Sequence, residues 1–320
     1  MKKKVTRLLS IILPLMLGFF LIIYMYRQFT PAELDKLVSD FKNADYLYIY
    51  ISLFVAFTGY VSRAYRWRYT LEHLGYQSTL STNFCAVCVG YLVNMTIPRS
   101  GEVARALVLK NYKDIPFDKA FGTIISERIV DLILLLCIVA GTVVLQFDVL
   151  KEYLTQNIPL EKLLFLAVIA GVFFIAAVLM FIYSKWSWML KLKMKISGLV
   201  EGALSVFKMR KKWPFLLHSL YIWFSYVVMF YITIFALPET AGISFGVVAV
   251  SFVIGSLAIT FSNGGFGVYP AVLAAILNLY GVPKATGTAF GWIVWSSQIG
   301  LIIFLGGISF LALPLLNRKK

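Results

Sequence analysis

The sequence predicts an all-α integral membrane protein. Of its 320 residues, 60% are hydrophobic and only 14% are charged, and the mean hydropathy is +0.82. Soluble chains average about 50% and about 25% on the first two measures, so a water-soluble globular protein is excluded, and so is intrinsic disorder. Most of the chain therefore has lipid as its solvent.

Apolar runs of membrane-crossing length follow one another along the chain. They occupy residues 8–26, 46–62, 74–98, 120–147, 163–184, 213–238, 240–283 and 285–317. The first run exceeds a typical signal-peptide core and is followed by no small-residue cleavage site, so we expect it to remain as a helix. Taken alone, the runs give eight helices.

Basic clusters change that count. The net charge of +15 is concentrated at residues 2–7, 185–212 and 318–320, which is typical of positive-inside membrane topology rather than of nucleic-acid binding. Eight complete crossings would put 185–212 outside, against that bias. Two re-entrant hairpins, at about 83–112 and 245–282, remove the conflict. We therefore predict about six spanning helices plus two opposed re-entrant hairpins, with the N- and C-termini cytoplasmic.

The two hairpin segments resemble each other. Gly90 and Gly255 lie 165 residues apart, as do Gly122 and Gly287. In the six-span arrangement the two copies have opposite orientations, so the single transmembrane domain, residues 1–320, is a candidate inverted repeat of the kind that many transporters have.

Two basic segments outside the apolar runs suggest surface contacts. Residues 185–212 carry apolar side chains at three- and four-residue steps, which predicts a cytoplasmic amphipathic helix on the membrane, with a solvated connector as the alternative. Arg63, Arg66 and Arg68 alternate with aromatic residues. This pattern indicates an anchor at the inner interface, and a lipid-headgroup site is the sharper alternative.

Charged residues near or within apolar segments are the candidate site. Such charges are costly in a membrane, so they usually face a cavity or a partner. The candidates are Arg99, Glu102, Arg105, Glu127, Arg128 and Asp131. Glu127 and Asp131 are four residues apart and therefore share a helix face. The six groups either pair with one another to lock the first hairpin, or line a polar cavity that meets a substrate.

Each hairpin turn adds a site for anions. A helix that begins deep in the membrane presents free N–H groups and the positive end of its dipole. At the first turn, Ser100 can cap the helix that starts at Gly101, and Arg99 can hold a phosphate bidentately. The second turn contains Asn263, Gly264, Gly265 and Gly267. Its glycines let the backbone approach a ligand, although a tight turn needs them equally.

No motif for a metal, a cofactor or catalysis accompanies these charges. The sequence contains no Ser-His-Asp arrangement and no phosphate-binding loop, and neither His73 nor His218 has a metal-ligand neighbour. Cys85 and Cys88 lie in an apolar stretch, and we interpret them as small residues of a helix. We predict no cofactor, no metal and no catalytic residue.

Three runs resemble a known family. They are "IPRSGEVARALVL" from Ile97, "ERIVD" from Glu127 and "SNGGFGVYP" from Ser262. Together they are similar to the lysylphosphatidylglycerol synthase transmembrane-region family, also described as flippase-like, over about residues 10–315. The resemblance implies a site that includes Arg99, Gly101, Glu102, Arg105, Glu127, Arg128, Asp131, Gly264, Gly265 and Gly267.

The resemblance also implies a function. It points to a translocase of the cell membrane that moves an anionic phospholipid or a lipid-linked phosphate intermediate between leaflets, with membrane lipids as partners and no nucleic acid. The family's synthases carry a large soluble transfer domain, whereas this sequence ends at Lys320. We therefore expect no enzyme activity from this chain, and a separate lipid-modifying enzyme as a possible partner. The alternatives are a small-solute secondary transporter and a membrane-embedded enzyme that acts on a lipid phosphate.

Overall fold

A computed structural model of the protein describes residues 16–97, 100–147, 208–262 and 264–317, together with scattered positions between 165 and 206. Within these residues the chain forms helices joined by turns and contains no strand. The predicted all-α class is therefore confirmed. The chain divides into two compact units, one formed by Met1–Glu127 with Arg210–Lys320 and the other by Arg128–Met209.

We number the main helices of the described residues in chain order. Before the incompletely described region they are α1 (16–28), α2 (Pro31–Asn43), α3 (Tyr46–His73), α4 (Leu80–Thr96), α5 (Gly101–Lys113) and α6 (Phe117–Leu145). After it they are α7 (Lys212–Thr233), α8 (Phe245–Phe261), α9 (Val268–Leu279) and α10 (Lys284–Leu316). A 3₁₀ turn at Ile234–Ala236 and a short helical turn at Pro238–Ala241 connect α7 to α8.

Helix length separates two groups. In the described residues, α3, α6, α7 with its 3₁₀ extension, and α10 are long and apolar enough to cross a membrane. Helices α4, α5, α8 and α9 have 17, 13, 17 and 12 residues. At about 1.5 Å per residue they reach roughly 18 to 26 Å, less than a hydrocarbon core of about 30 Å. These lengths fit the arms of the two predicted hairpins, whose re-entrant placement stays a prediction.

Three other predicted segments lie partly or mostly outside the described residues. Of the six predicted spans, the run at 8–26 is described only from residue 16, and the run at 163–184 is described only at scattered positions. The predicted amphipathic helix at 185–212 lies mostly outside the described residues. The count of six spans and this surface helix therefore stay predictions.

Close helix packing around α4 positions the site. Gly90 of α4 faces Gly101 and Arg105 of α5: a Cβ on Gly90 would lie 2.9 Å from the carbonyl oxygen of Gly101 and 2.7 Å from Cγ of Arg105. The two helices can approach this closely only because both contact positions lack a side chain. Arg105 is held against α4 as a result.

A buried apolar cluster supports the same region. It joins the last turns of α3 to α4, α5 and the start of α6, with Trp67, Leu71, Ala86, Leu109 and Ile124 among its fully or almost fully buried members. Helix α3 also packs against α7, and α10 packs against both α4 and α9. The site therefore lies where several helices pack together.

Helix α2 was not predicted, although the sequence signals it. Thr30 accepts a hydrogen bond from the backbone N–H of Glu33, and the Glu33 carboxylate accepts one from the backbone N–H of Thr30. This reciprocal capping box, with Pro31 at the first helical position, marks a helix start. Hydrophobic runs do not reveal this helix, because the segment is a polar connection between two of them.

Candidate functional site

Two buried arginines and one buried glutamate meet within the first unit. Glu127 of α6 is fully buried and forms two ion pairs through a single oxygen, Oε2. The donors are Nη2 of Arg66 in α3, at 3.4 Å, and Nη2 of Arg105 in α5, at 3.2 Å. The arginines are 0% and 3% exposed. Three helices thus bring together charges that would each be costly alone in an apolar segment.

Neighbouring side chains orient both guanidinium groups. Cζ of Arg105 lies 4.2 Å from the ring centroid of Trp67, whose Nε1 donates to Oγ1 of Thr123 at 2.9 Å. Nη1 of Arg66 donates to Oγ of Ser219 at 3.2 Å. A cation over a tryptophan ring is attracted most strongly when it is desolvated, as Arg105 is here. Each guanidinium therefore has a defined direction.

Arg63 extends this group one turn along α3. It is 3% exposed, and its Nη2 donates to the hydroxyl of Tyr226 at 3.0 Å. The hydroxyls of Tyr226 and Tyr91 are hydrogen-bonded at 3.2 Å, and the Tyr91 ring stacks on that of Tyr60 at 4.8 Å. We call Arg63, Arg66, Arg105 and Glu127 the arginine cluster.

The interface-anchor interpretation is wrong for two of the three arginines of α3. Arg63 and Arg66 are buried, whereas the side chain of Arg68 is 47% exposed. Residues three apart share a helix face, and a residue two further along points elsewhere. Glu127 is the sequence signal that indicates a buried arginine, because a carboxylate in an apolar segment requires a cationic partner. The alternation of arginine with aromatic residues favours an interface instead, so it does not identify Arg63 and Arg66 as buried.

Ser100 does not cap α5, so that prediction is wrong. Its backbone is helical, with φ −93° and ψ −10°, and its side chain makes no capping bond. Its hydroxyl donates instead to the carbonyl oxygens of Ile97, at 2.5 Å, and Val93, at 3.2 Å. Carbonyl groups at a helix end lack helical partners. Ser100 therefore satisfies the end of α4 rather than the start of α5.

The other residues predicted at the first turn have different positions. Gly101 is buried against Gly90, Glu102 is half-buried on the first turn of α5, and Arg105 belongs to the arginine cluster. Arg99 lies outside the described residues. Of the predicted residues, Arg105 and Glu127 are thus brought together directly.

Arg128 and Asp131 belong to the second unit, which begins immediately after Glu127. Asp131 is buried, with 6% of its surface exposed. The Arg128 side chain is 43% exposed, and its Nη1 lies 3.7 Å from Oδ2 of Asp131 one turn away. Arg128 therefore differs from the arginines of the cluster in its exposure.

The glycines of the second predicted turn are used for backbone geometry. Gly264, Gly265 and Gly267 have φ of 67°, 81° and 68°, a region that favours glycine. A Cβ on Gly267 would meet the backbone of Gly18 in α1, and the carbonyl of Gly264 accepts from Nε1 of Trp295 at 2.8 Å. The close approach made here is to α1. Asn263 lies outside the described residues.

Phe266, between those glycines, is surrounded by aromatic rings. Its ring centroid lies 5.0 Å from that of Phe19, 5.7 Å from that of Trp295 and 6.3 Å from that of Trp292. Sequence reasoning did not single out these residues. Among the described residues, no group of three or more His, Cys, Asp or Glu side chains is placed to hold a metal ion.

The arginine cluster brings together three guanidinium groups and one carboxylate. Guanidinium groups match phosphate oxygens in geometry and stay charged at any physiological pH. In the described residues, Oε1 of Glu127 is buried and has no hydrogen-bond partner. A ligand that carries a hydroxyl or ammonium group near its phosphate would satisfy this oxygen.

Comparison with known proteins identifies similar chains. The family described as "Lysylphosphatidylglycerol synthase TM region" matches residues 11–307. A Methanocaldococcus jannaschii protein named UPF0104 membrane protein MJ1595 is 29% identical over 134 residues, 41% of this chain and 38% of the relative. A Haloferax volcanii protein named Glycosyltransferase AglD is 26% identical over 133 residues, 41% of this chain and 21% of the relative. The matches thus span less than half of either relative. No solved structure matches the chain.

Proposed function

Since this chain belongs to the lysylphosphatidylglycerol synthase transmembrane-region family, we propose that it translocates an anionic phospholipid or a lipid-linked phosphate intermediate between membrane leaflets. The observation that carries the proposal is the burial of Arg63, Arg66 and Arg105 among apolar helices. A phosphate in transit across the hydrocarbon core needs fixed positive groups to replace its lost hydration. The arginine cluster supplies them.

Glu127 limits the kind of headgroup. Its Oε2 receives both Arg66 and Arg105, while Oε1 is left for another donor within the described residues. A headgroup with a hydroxyl or an ammonium group beside the phosphate offers such a donor. The cargo therefore pairs its phosphate with the arginines and its donor group with Glu127.

A lipid-linked sugar phosphate is the second candidate cargo. The Haloferax volcanii relative is named a glycosyltransferase, and a protein of that kind handles sugars. Sugar hydroxyls would donate to Oε1 of Glu127 just as a glycerol hydroxyl would. The two cargoes thus use the same cluster and differ in what lies beyond the phosphate.

The proposal includes an orientation in the cell membrane, with both termini in the cytoplasm. In a background without Cys85, Cys88 and Cys137, a single cysteine at Lys113 should react with an impermeant reagent from the cytoplasmic side. One at Glu239 should react from the outside. Labelling of both positions from the same side would contradict this topology.

Transport in liposomes tests the function. Purified protein reconstituted with a fluorescent phosphatidylglycerol should move it between leaflets, as followed by dithionite quenching. Arg105→Gln should slow this movement by roughly ten- to a hundredfold, since a charge-assisted hydrogen bond contributes about 1.5 to 3 kcal/mol. Lys110→Gln is the matched control, because Lys110 is an exposed cation on the same helix.

A charge-conserving variant separates phosphate binding from charge balance. If Arg105 only neutralises Glu127, Arg105→Lys should keep both the melting temperature and the transport rate near those of the wild type. If Arg105 holds a phosphate through its planar guanidinium group, Arg105→Lys should keep the melting temperature and still slow transport. Mass spectrometry of the lipids afterwards adds a third readout, since a chemically altered lipid would indicate an enzyme.

A further inference from the structure

A second polar hollow lies at one end of the first unit, where several chain segments meet. It has a volume of about 670 Å³ and is bounded by the last turns of α3, the start of α4, the end of α5 and the residue before α7. We call it the basic hollow. Its lining side chains include Arg68, Glu72, Ser78, Leu80, Lys113 and Lys211. None of these belongs to the arginine cluster.

The basic hollow has more positive than negative charge. Glu72 uses both carboxylate oxygens: Oε1 receives Nε of Arg68 at 2.7 Å, and Oε2 receives Nζ of Lys211 at 2.7 Å. Lys113 forms no ion pair within the described part of the chain. Three cations thus face one carboxylate among the described lining residues, which leaves an excess of two positive charges.

Residues with uncharged donors also line the basic hollow. The hydroxyl of Ser78 is buried and has no hydrogen-bond partner among the described residues. Leu80 begins α4, and Thr79 caps only the N–H of Thr82, so the first N–H groups of this 17-residue helix stay open to another acceptor. A helix start also presents the positive end of its dipole. Three cationic residues, a serine and the start of a helix therefore line the same hollow.

We propose that the basic hollow binds a phosphate monoester. Such a group carries about −1.5 to −2 charges at pH 7 and presents three strong acceptor oxygens. Its charge matches the excess of two, and its tetrahedral oxygens accept from donors that approach from separate helices. A carboxylate would match neither the charge nor the number of donors. The ligand is either a lipid headgroup or a soluble phosphate, since both carry this chemistry to the membrane surface.

This site does not depend on the proposed translocation. The arginine cluster is buried among the apolar helices, whereas Arg68 and Lys211 have about half of their side-chain surface exposed, 47% and 52%. A phosphate can therefore reach the basic hollow from the aqueous interface. Lys211 immediately precedes α7, so an occupied site would fix the start of that helix against α3 and α5.

Binding measurements with two probes test the proposal. Inorganic phosphate is titrated onto the full-length protein in detergent at constant ionic strength, with chloride as the reference salt. Separately, the protein is placed in phosphatidylcholine nanodiscs with and without phosphatidic acid, and retained lipid is measured by native mass spectrometry. Lys113→Gln with Lys211→Gln should weaken binding by about tenfold or more, because two charge-assisted contacts are lost. Lys119→Gln, an exposed cation on α6, should leave binding unchanged.

The single variant Lys113→Gln protects the test against misfolding. Because Lys113 makes no ion pair in the described residues, its replacement should leave the melting temperature near that of the wild type and still weaken phosphate binding, and Lys113→Arg should restore it. Retention of phosphatidic acid alone would assign the site to a lipid headgroup, and binding of free phosphate alone would assign it to a soluble ligand. Failure of both probes, or equal binding by Lys113→Gln and the wild type, would overturn the proposal.

Discussion

The two helix pairs α4–α5 and α8–α9 share a plan and differ in content. Each pair consists of short helices separated by a few residues, and Gly90 in the first corresponds by sequence to Gly255 in the second. The first pair leads to the arginine cluster, and the second turn is surrounded by the rings of Phe19, Trp292 and Trp295. The two pairs therefore have helices of similar length, but the first contacts a charged cluster and the second contacts aromatic rings.

This difference suggests a division of roles. The first pair contributes Arg105 to the arginine cluster, while the second turn packs its backbone on α1 and places Phe266 among aromatic rings. If this division holds, changes that displace Arg105 or remove its partner should slow transport, whereas changes in the packing of the second pair should affect stability alone. Five substitutions test it, in order of decreasing expected effect.

The largest effect is expected from Glu127→Gln. This change leaves Arg66 and Arg105 without the carboxylate that both contact, and loss of one member of a buried ion pair costs about 3 to 5 kcal/mol. The melting temperature in detergent should fall well below that of Asp118→Asn, an exposed acid on the same helix. Equal melting temperatures for the two variants would show that the cluster does not stabilise the fold.

Gly267→Ala should have the next largest effect. An alanine there meets the backbone of Gly18 and adopts a positive φ, which together cost about 2 to 4 kcal/mol. Gly281→Ala is the matched control, since Gly281 also has a positive φ, of 85°, but open space around it. It should cost only about 1 to 2 kcal/mol. If thermal unfolding finds no difference, the packing of the second turn on α1 contributes little.

Gly90→Ala and Gly255→Ala compare the two pairs directly. A Cβ on Gly90 would press on Arg105 and on the backbone of Gly101, and one on Gly255 would lie 2.8 Å from the ring of Tyr269. Both should lose about 1 to 3 kcal/mol by overpacking. Only Gly90→Ala should also slow lipid transport at a temperature where both variants are folded, because it displaces Arg105. Equal transport rates for Gly90→Ala and Gly255→Ala would contradict the proposed division of roles between the two helix pairs.

The smallest effect concerns the connection that leads into α8. Lys36 of α2 lies within ion-pair distance of Asp40 and of Glu239 in the turn before α8. The Lys36 hydrogen bond lowers the pKa of Glu239, and the hydrogen bonds to Asp40 and Glu239 raise the pKa of Lys36. Because Lys36 and Glu239 are partly exposed, their pair contributes only about 0.2 to 1 kcal/mol.

The pH dependence of that pair has a defined sign. A lowered folded-state pKa stabilises the fold above the ordinary glutamate value of 4.5, and this stabilisation disappears as the pH falls through the folded-state pKa. The raised pKa of Lys36 acts oppositely: its stabilisation is complete below 10.5 and is lost as the pH rises through the folded-state value. Glu239→Gln should thus lower the melting temperature slightly at neutral pH. It should have no such effect at pH values below the folded-state pKa of Glu239.

Sequence reasoning succeeded where the physical signal was local. The uninterrupted apolar stretch from 240 to 283 was divided correctly near 262–267, because consecutive glycines cannot continue a helix without cost and favour positive φ. The capping box at Thr30 is an equally local signal, but it lies in a polar connection that hydrophobic periodicity does not reveal. The predicted capping role of Ser100 was wrong for another reason. Ser100 lies between the end of α4 and the start of α5, and the sequence does not indicate which of the two helices its hydroxyl bonds to.

The sequence by itself determined that the chain is helical, that its helices lie in lipid, and that charges among them need partners. It also identified Arg105 and Glu127, because charges in apolar segments are costly enough to be conspicuous. Only the tertiary structure decided that Glu127 pairs with Arg66, 61 residues away, and that Trp67 lies beneath Arg105. Periodicity shows which residues share a face of one helix, whereas packing between helices decides which two faces meet.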